Sequence, residues 1–171
     1  MNIEQQSNDE LAKVARLIGD IKFAMLTTAA GDGSLRSRPL STLKMDSQAS
    51  LWFFTSLTSP KMDEIRDNSQ VNLTYARPDK QDYVSVSGSA EIVRDREKMK
   101  ELWTAWIKPW FPKGIDDPDL VLLKINLEEA EYWDAPGSAI MRTYGLAKAV
   151  ATGNTDALGS NAKVRVGATP R

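Results

Sequence analysis

Hydrophobic positions along this chain recur with two different periods, and the changes of period mark its elements. From Ser7 to Gly19, Leu11, Val14, Ala15 and Ile18 fall at helical spacing, so this stretch reads as an amphipathic helix lying over a sheet or barrel. Ser7 and Glu10 have the spacing of a capping box at its start. The period then shortens to two. Ile21 to Ala30 (IKFAMLTTAA) has strand character, and Gly31, Asp32 and Gly33 supply a tight turn into a second strand from Ser34 to about Met45. Leu51 to Phe54 (LWFF) is an unbroken apolar run of the kind that makes a buried strand, followed by a short helical pattern with Met62 and Ile65 three apart. Two further strands are predicted over Val71 to Arg77 and Tyr83 to Val93, the second interrupted by Gly88, which marks a bulge or a tight corner.

Asp95 caps a predicted helix whose Met99, Leu102, Trp103, Trp106 and Ile107 form a broad apolar stripe, and Leu120 to Asn126 and Ala130 to Trp133 read as two closing strands. A weaker helical pattern spans Ser138 to Val150. Residues 1–153 therefore form one domain, and 154–171, small and polar, are expected as a loosely ordered tail. The order helix, hairpin, strand, short helix, two strands, helix, two strands is that of a mainly β (α+β) fold, a small antiparallel barrel with flanking helices.

The join between the apolar run and the short helix carries candidate chemistry. Ser59 is placed to cap the helix and Pro60 to occupy its first position, where a missing N–H is harmless. The free N–H groups of that turn and the hydroxyls of Thr55, Ser56, Thr58 and Ser59 make a donor-rich pocket suited to an anion. Lys61 opposes the helix dipole there unless an anion meets it. On the second strand, Arg36 and Arg38 lie two apart and project from one face, so they repel unless solvated or sharing an anion. An exposed basic edge is the competing reading of that pair. Pro39 cannot donate to a ladder, which places it at an edge or bulge that a ligand can approach.

Composition narrows the function by what it lacks. The chain has 22 basic and 23 acidic residues with no long run of either sign, which argues against nucleic acid or an anionic membrane as a partner. No apolar segment approaches the roughly 20 residues needed to span a bilayer and the N-terminus is polar, so a cytoplasmic location is the expectation. There is no Cys and no His, hence no disulfide, thiolate nucleophile, imidazole base or zinc site built on those ligands. The aspartates of Gly114 to Asp119 are read as turn residues, and no metal is assigned. An enzyme built from this chain has to borrow its reactivity from a cofactor. Five tryptophans are present, and Trp103, Trp106 and Trp110 fall close together; they read as core, or as an aromatic lid or subunit interface.

FAMLTT at 23–28, RSRPL at 36–40, FFTSLTSPK at 53–61, YVSVSGSAEIV at 83–93 and EYWDAP at 131–136, in this order and spacing, resemble the flavin-binding split barrel of the pyridoxamine 5′-phosphate oxidase superfamily, and the chain to about residue 155 is similar to its general stress protein 26 branch. The resemblance implies a split β-barrel and an FMN site at the interface of a homodimer, with FAD as the alternative flavin. It implies that Arg38 and Lys61 clasp the flavin phosphate and that Ser59 adds a hydrogen bond. Phe54 and Thr55 are then expected beside the ribityl chain and ring, with Pro39, Leu40, Ser41 and Thr42 lining the isoalloxazine through their backbone. The chain departs from the oxidase proper, with Tyr83 where that enzyme has a flavin-bonding Gln and LWTAWIKPW (102–110) where it has an Arg-containing segment for the substrate phosphate. The oxidase's C-terminal flavin and substrate motif, with its Arg, is missing as well. Pyridoxamine phosphate oxidation is therefore not expected. The reading is a flavin-binding general stress protein, either an NAD(P)H-dependent oxidoreductase or a non-catalytic flavin store or sensor, with no catalytic residue named.

Overall fold

The computed structural model describes residues 1–134, 148, 150 and 159–166. In chain order its elements are β1 (Asn2–Ile3), α1 (Asp9–Gly19), β2 (Phe23–Ala29), β3 (Leu35–Ser41), β4 (Lys44–Met45), β5 (Ser50–Ser56), α2 (Lys61–Asp67), β6 (Gln70–Arg77), β7 (Asp82–Val93), α3 (Arg96–Leu102), β8 (Leu120–Asp134) and β9 (Ser160–Arg165). Short 3-10 turns at Ala105–Ile107 and Gly114–Asp116 separate α3 from β8.

The strands form one sheet in the order β1-β4-β5-β8-β7-β6-β2-β3, with β9 added on β8. All neighbours are antiparallel except β1 and β4. The sheet is open: among the described residues its ends, β1 and β3, are not hydrogen-bonded to each other. The fold is thus strand-rich α+β. Only Thr42 and Leu43 separate β3 from β4, so the outer strand at one end is tied covalently to a strand near the other. Where one continuous strand to Met45 was expected, the chain bends at these two residues because β3 pairs with β2 while β4 pairs with β5.

The core explains the strand patterns. Leu51 and Phe53 of β5 enter the main core with α1 (Leu11, Val14, Ala15, Ile18) and the inward residues Ala24 and Leu26 of β2. Trp52 and Phe54, pointing the other way, join a second cluster with Met99, Leu102, Ile107, Leu120 and Leu122. β5 is buried on both faces, which is why its apolar run is unbroken. Gly88 sits where β7 and β8 slip register, paired with Leu127 next to the bulged Glu128, and a Cβ there would lie 2.2 Å from the Asn126 carbonyl oxygen, so only glycine fits.

Several boundaries differ from expectation. The cap of α1 is Asn8, whose side chain accepts from the Leu11 amide, one residue beyond Ser7. The two closing strands are one 15-residue strand, β8, because the bulge lets it continue along β7 instead of turning. α3 stops at Leu102, and Trp103 leaves in extended backbone to set its ring edge-on to Phe54, 5.7 Å between centroids. Within the segment expected as a loose tail, residues 160–165 form β9 along Glu129 to Asp134, with Val164 buried in the main core. The helical pattern from Ser138 to Val150 lies outside the described residues, apart from Lys148 and Val150. Among the described residues no helix is long and apolar enough to cross a membrane.

Candidate functional site

β3, the last strand of the sheet path, divides the site in two. Arg36 and Arg38 register opposite Thr28 and Leu26 of β2 and face inward, while Pro39 and Ser41 pair with Met25 and Phe23 and face outward. The inward side holds a cationic clasp, the outward side an apolar cleft.

The clasp is completed by α2. Met62 and Ile65 bury into the core, and Lys61 and Glu64, three apart, share another buried face of the helix. The Glu64 carboxylate accepts from the Thr28 hydroxyl at 2.5 Å, from Arg38 Nη2 at 2.8 Å and from Arg36 Nη1 at 3.3 Å. Arg38 Nη1 also donates to Thr28 Oγ1 at 2.8 Å. Burial pushes the Glu64 carboxyl up, but the hydrogen bonds from Thr28 and Arg38 with the charges of Arg38 and Arg36 outweigh it and hold Glu64 below the ordinary glutamate value. The two arginines do share an anion, and it is one the fold itself provides.

Lys61 is 7% exposed, and its Nζ donates to Ser59 Oγ at 2.7 Å. Among the described residues no carboxylate lies within ion-pair distance of it. Desolvation, then the neighbouring Arg38 charge, push its pKa below the ordinary lysine value, with Glu64 and Asp119 offsetting part of this. Here the helix start differs from the expected cap. Pro60 has helical angles (φ −52°, ψ −31°), but no side chain caps α2, and the Ser59 hydroxyl accepts a hydrogen bond from Lys61 instead. At seven residues α2 contributes little macrodipole, so side-chain cations carry the positive character of this corner.

The loop between β5 and α2 is held by Asp119. Its carboxylate accepts from the Ser56 hydroxyl and from the Thr58 amide, and its carbonyl accepts from the Leu57 amide. Hydrogen bonds from Ser56 and then Thr58 hold the Asp119 carboxyl below the usual range, so it is ionised at neutral pH. Ser56 and Asp119 also line the cleft, which joins the two halves of the site.

The cleft has a volume of about 460 Å³, within the range of small-molecule sites. Pro39, Leu40, Ser41, Phe54 and Thr55 line it, together with Phe23, Leu43, Trp106, Ile107, Trp110 and Phe111. The rings of Phe23, Trp106 and Trp110 lie tilted against one another in a row, with centroids 6.1 and 4.8 Å apart, and Lys22 lies over Trp106. Among the described residues Asp117 and Asp119 are the only charged residues in the lining, and no lysine or arginine is among them.

Of the candidate residues, five line the cleft (Pro39, Leu40, Ser41, Phe54, Thr55) and three form the clasp (Arg38, Ser59, Lys61). Thr42 lies in neither: it is 3% exposed, and its hydroxyl pairs with the Tyr75 phenol at 2.9 Å in the core. Thr28, Glu64 and Asp119 were not anticipated. Thr28 left a trace in the pattern, since it follows Ala24 and Leu26 at inward spacing, where a polar residue needs a partner. Asp116, Asp117 and Asp119 serve the loop: Asp116 pairs with Arg96, and Asp117 accepts from the Asp119 amide.

The fold is a strand-rich open sheet with a pair of cations beside an aromatic cleft. The sequence profile described as "Pyridoxamine 5'-phosphate oxidase like" matches residues 9–157, and the chain belongs to that family. Among curated relatives, it is 26% identical over 161 residues to Protein bli-3 of Neurospora crassa, covering 88% of this chain and 75% of that one. Among solved structures, it is similar to General Stress Protein 26 of Bacillus anthracis (26% identity, TM-score 0.65, covering 73% and 94% of the two chains). It also matches the fold of the general stress FMN/FAD binding protein of Xanthomonas citri (24% identity, TM-score 0.66, covering 77% and 93%). The general stress protein 26 branch is thus where the likeness falls.

Proposed function

We propose that this protein binds a flavin through its phosphate, with FMN the preferred form and FAD the alternative. The observation that carries this reading is Lys61: a buried ammonium beside Arg38 whose hydrogen-bond acceptor, among the described residues, is a serine hydroxyl. Two cations held together in a desolvated corner make a site for a doubly charged anion such as a phosphate monoester. In this reading Arg38, Lys61 and Ser59 hold the phosphate, and Phe54, Thr55 and the strand from Pro39 to Ser41 border the ring. The Xanthomonas citri neighbour's description as an FMN/FAD binding protein supports it. The flavin supplies the redox chemistry that no side chain of a chain without Cys or His performs.

The same reading includes a cytoplasmic homodimer with the flavin at the subunit interface. Phe23, Met25 and Leu35, 48%, 42% and 73% exposed on the outward face of β2 and β3, support such a contact next to the cleft. Pyridoxamine phosphate oxidation is not part of the proposal, because among the described residues the cleft lining has no cation for a second phosphate.

An NAD(P)H-dependent oxidoreductase and a flavin store or sensor divide on one observation. Both carboxylates of the cleft, Asp117 and Asp119, are committed to turn hydrogen bonds, which favours binding over acid–base catalysis. Titrating the purified protein with FMN, FAD and riboflavin tests the binding reading. FMN should bind far more tightly than riboflavin, and equal affinity for the two overturns the phosphate assignment. Stopped-flow mixing of the FMN-loaded protein with NADH or NADPH then separates the functions. Rapid bleaching and reoxidation identify the oxidoreductase, and an unchanged spectrum the store or sensor.

A further inference from the structure

Glu64 is a carboxylate placed where a phosphate site has least use for one. It is 6% exposed, on the face of α2 that also carries Lys61, and it accepts from Thr28, Arg38 and Arg36. Arg38 donates one nitrogen to Glu64 and the other to Thr28, and Thr28 donates its own proton to Glu64, so the three side chains close a ring. A guanidinium held at both terminal nitrogens has lost the rotamer freedom of a free arginine, while 25% of the side chain stays exposed to meet a ligand. Arg36 provides the contrast. It is 51% exposed and reaches Glu64 through one longer contact, with Asp32 3.8 Å away on its solvent side.

The charges point the same way. Without Glu64, Arg36, Arg38 and Lys61 would crowd one corner beside the half-buried Asp119, and Asp119 is already committed to Ser56 and Thr58. Repulsion would then turn Arg38 away from Lys61. With Glu64 in place the arginines are tied down and Lys61 keeps its charge for the ligand. The carboxylate also repels an incoming phosphate, but two guanidinium contacts already neutralise it, so its effect on the aim of Arg38 is the larger one.

We propose that Glu64 is a positioning residue that fixes Arg38 beside Lys61 and thereby gives the site its preference for a phosphomonoester over the same ligand without phosphate. This rests on the phosphate reading above and adds to it the residue that sets the selectivity.

The test is the ratio of FMN to riboflavin affinity, measured by flavin fluorescence quenching, with the melting temperature recorded in parallel. Glu64→Ala should lower the ratio at least tenfold and leave riboflavin affinity unchanged. Glu64→Gln, which keeps an acceptor for Thr28 and Arg38 but not the charge, should restore part of it, and Thr28→Val should lower it several-fold. A folded Glu64→Ala protein whose ratio is unchanged or higher overturns the proposal. Should Glu64→Ala fail to fold, Thr28→Val decides, and an unchanged ratio there has the same consequence. A wild-type protein that does not distinguish FMN from riboflavin removes the phosphate reading itself, and this inference with it.

Discussion

Two lysines of this protein are almost equally buried, and they differ in what surrounds them. Lys44 is 5% exposed and lies between two carboxylates, Glu101 at 2.6 Å and Glu4 at 2.5 Å. Its hydrogen bonds to Glu101 and then to Glu4 raise its pKa well above the ordinary lysine value. Lys61, at 7%, has a serine hydroxyl and a neighbouring arginine, and its pKa moves the other way. Burial by itself therefore says little about a lysine's role. The first ammonium is compensated and ties β4 to α3 and to the chain before α1. The second has no carboxylate within ion-pair distance among the described residues, and the proposed phosphate would supply that counter-ion.

The largest effect expected from this contrast is on ligand affinity. Lys61→Met should weaken FMN about thirtyfold, roughly 2 kcal/mol, with riboflavin unaffected and the melting temperature unchanged or raised, because an uncompensated buried cation has been removed. A matching loss of riboflavin affinity would show that Lys61 shapes the cleft rather than the clasp. Lys44→Met should do the reverse, lowering stability in urea by about 1.5 kcal/mol, with partners half-exposed, and leaving the FMN to riboflavin ratio alone.

pH separates the two lysines without mutation. The Lys44 pairing, with its raised pKa, stays in place below the ordinary lysine value and is lost only in strong alkali; on the acid side it fails as Glu101 and Glu4, both held below the usual carboxylate value, take up protons. Lys61 has the opposite sign. As pH rises through its lowered pKa the folded protein becomes slightly more stable, while FMN affinity falls by up to about tenfold per pH unit. Isothermal titration across the alkaline range should show that fall for FMN and none for riboflavin. The smallest effect belongs to the cleft. Trp110→Ala should weaken FMN and riboflavin equally, about fivefold or 1 kcal/mol, and a change in their ratio would mean that the aromatic row reaches the phosphate.

What could be read along the chain follows from local physics. The two-residue period brought Arg36 and Arg38 to one face, because strand geometry alternates whatever the strand packs against. Gly88 announced the bulge, since a strand glycine marks close backbone approach. The double-sided burial of β5 was visible in its unbroken apolar run. Phe54, Thr55 and Pro39 reached the cleft for similarly local reasons, as the end of a buried strand and the proline of an outer one.

The rest depended on contacts between distant segments. Nothing near Glu64 in the chain distinguishes it from an exposed helical glutamate; it becomes buried because α2 docks against the β2–β3 hairpin, 36 residues from Thr28 and 26 from Arg38. Thr42 could be placed at the strand's end but not turned inward, which required Tyr75 of β6. β9 is short and polar, and it is a strand because β8 offers it an edge and the core accepts Val164. The sequence by itself determined the strand periods, the hairpin, the glycine bulge and the presence of Arg38 on a hairpin strand and Lys61 at the start of a short helix. Which lysine is neutralised and which left with its charge, and which carboxylate aims the arginine, only the tertiary structure decided, because charge compensation is set by distances between groups that the chain's local geometry does not control.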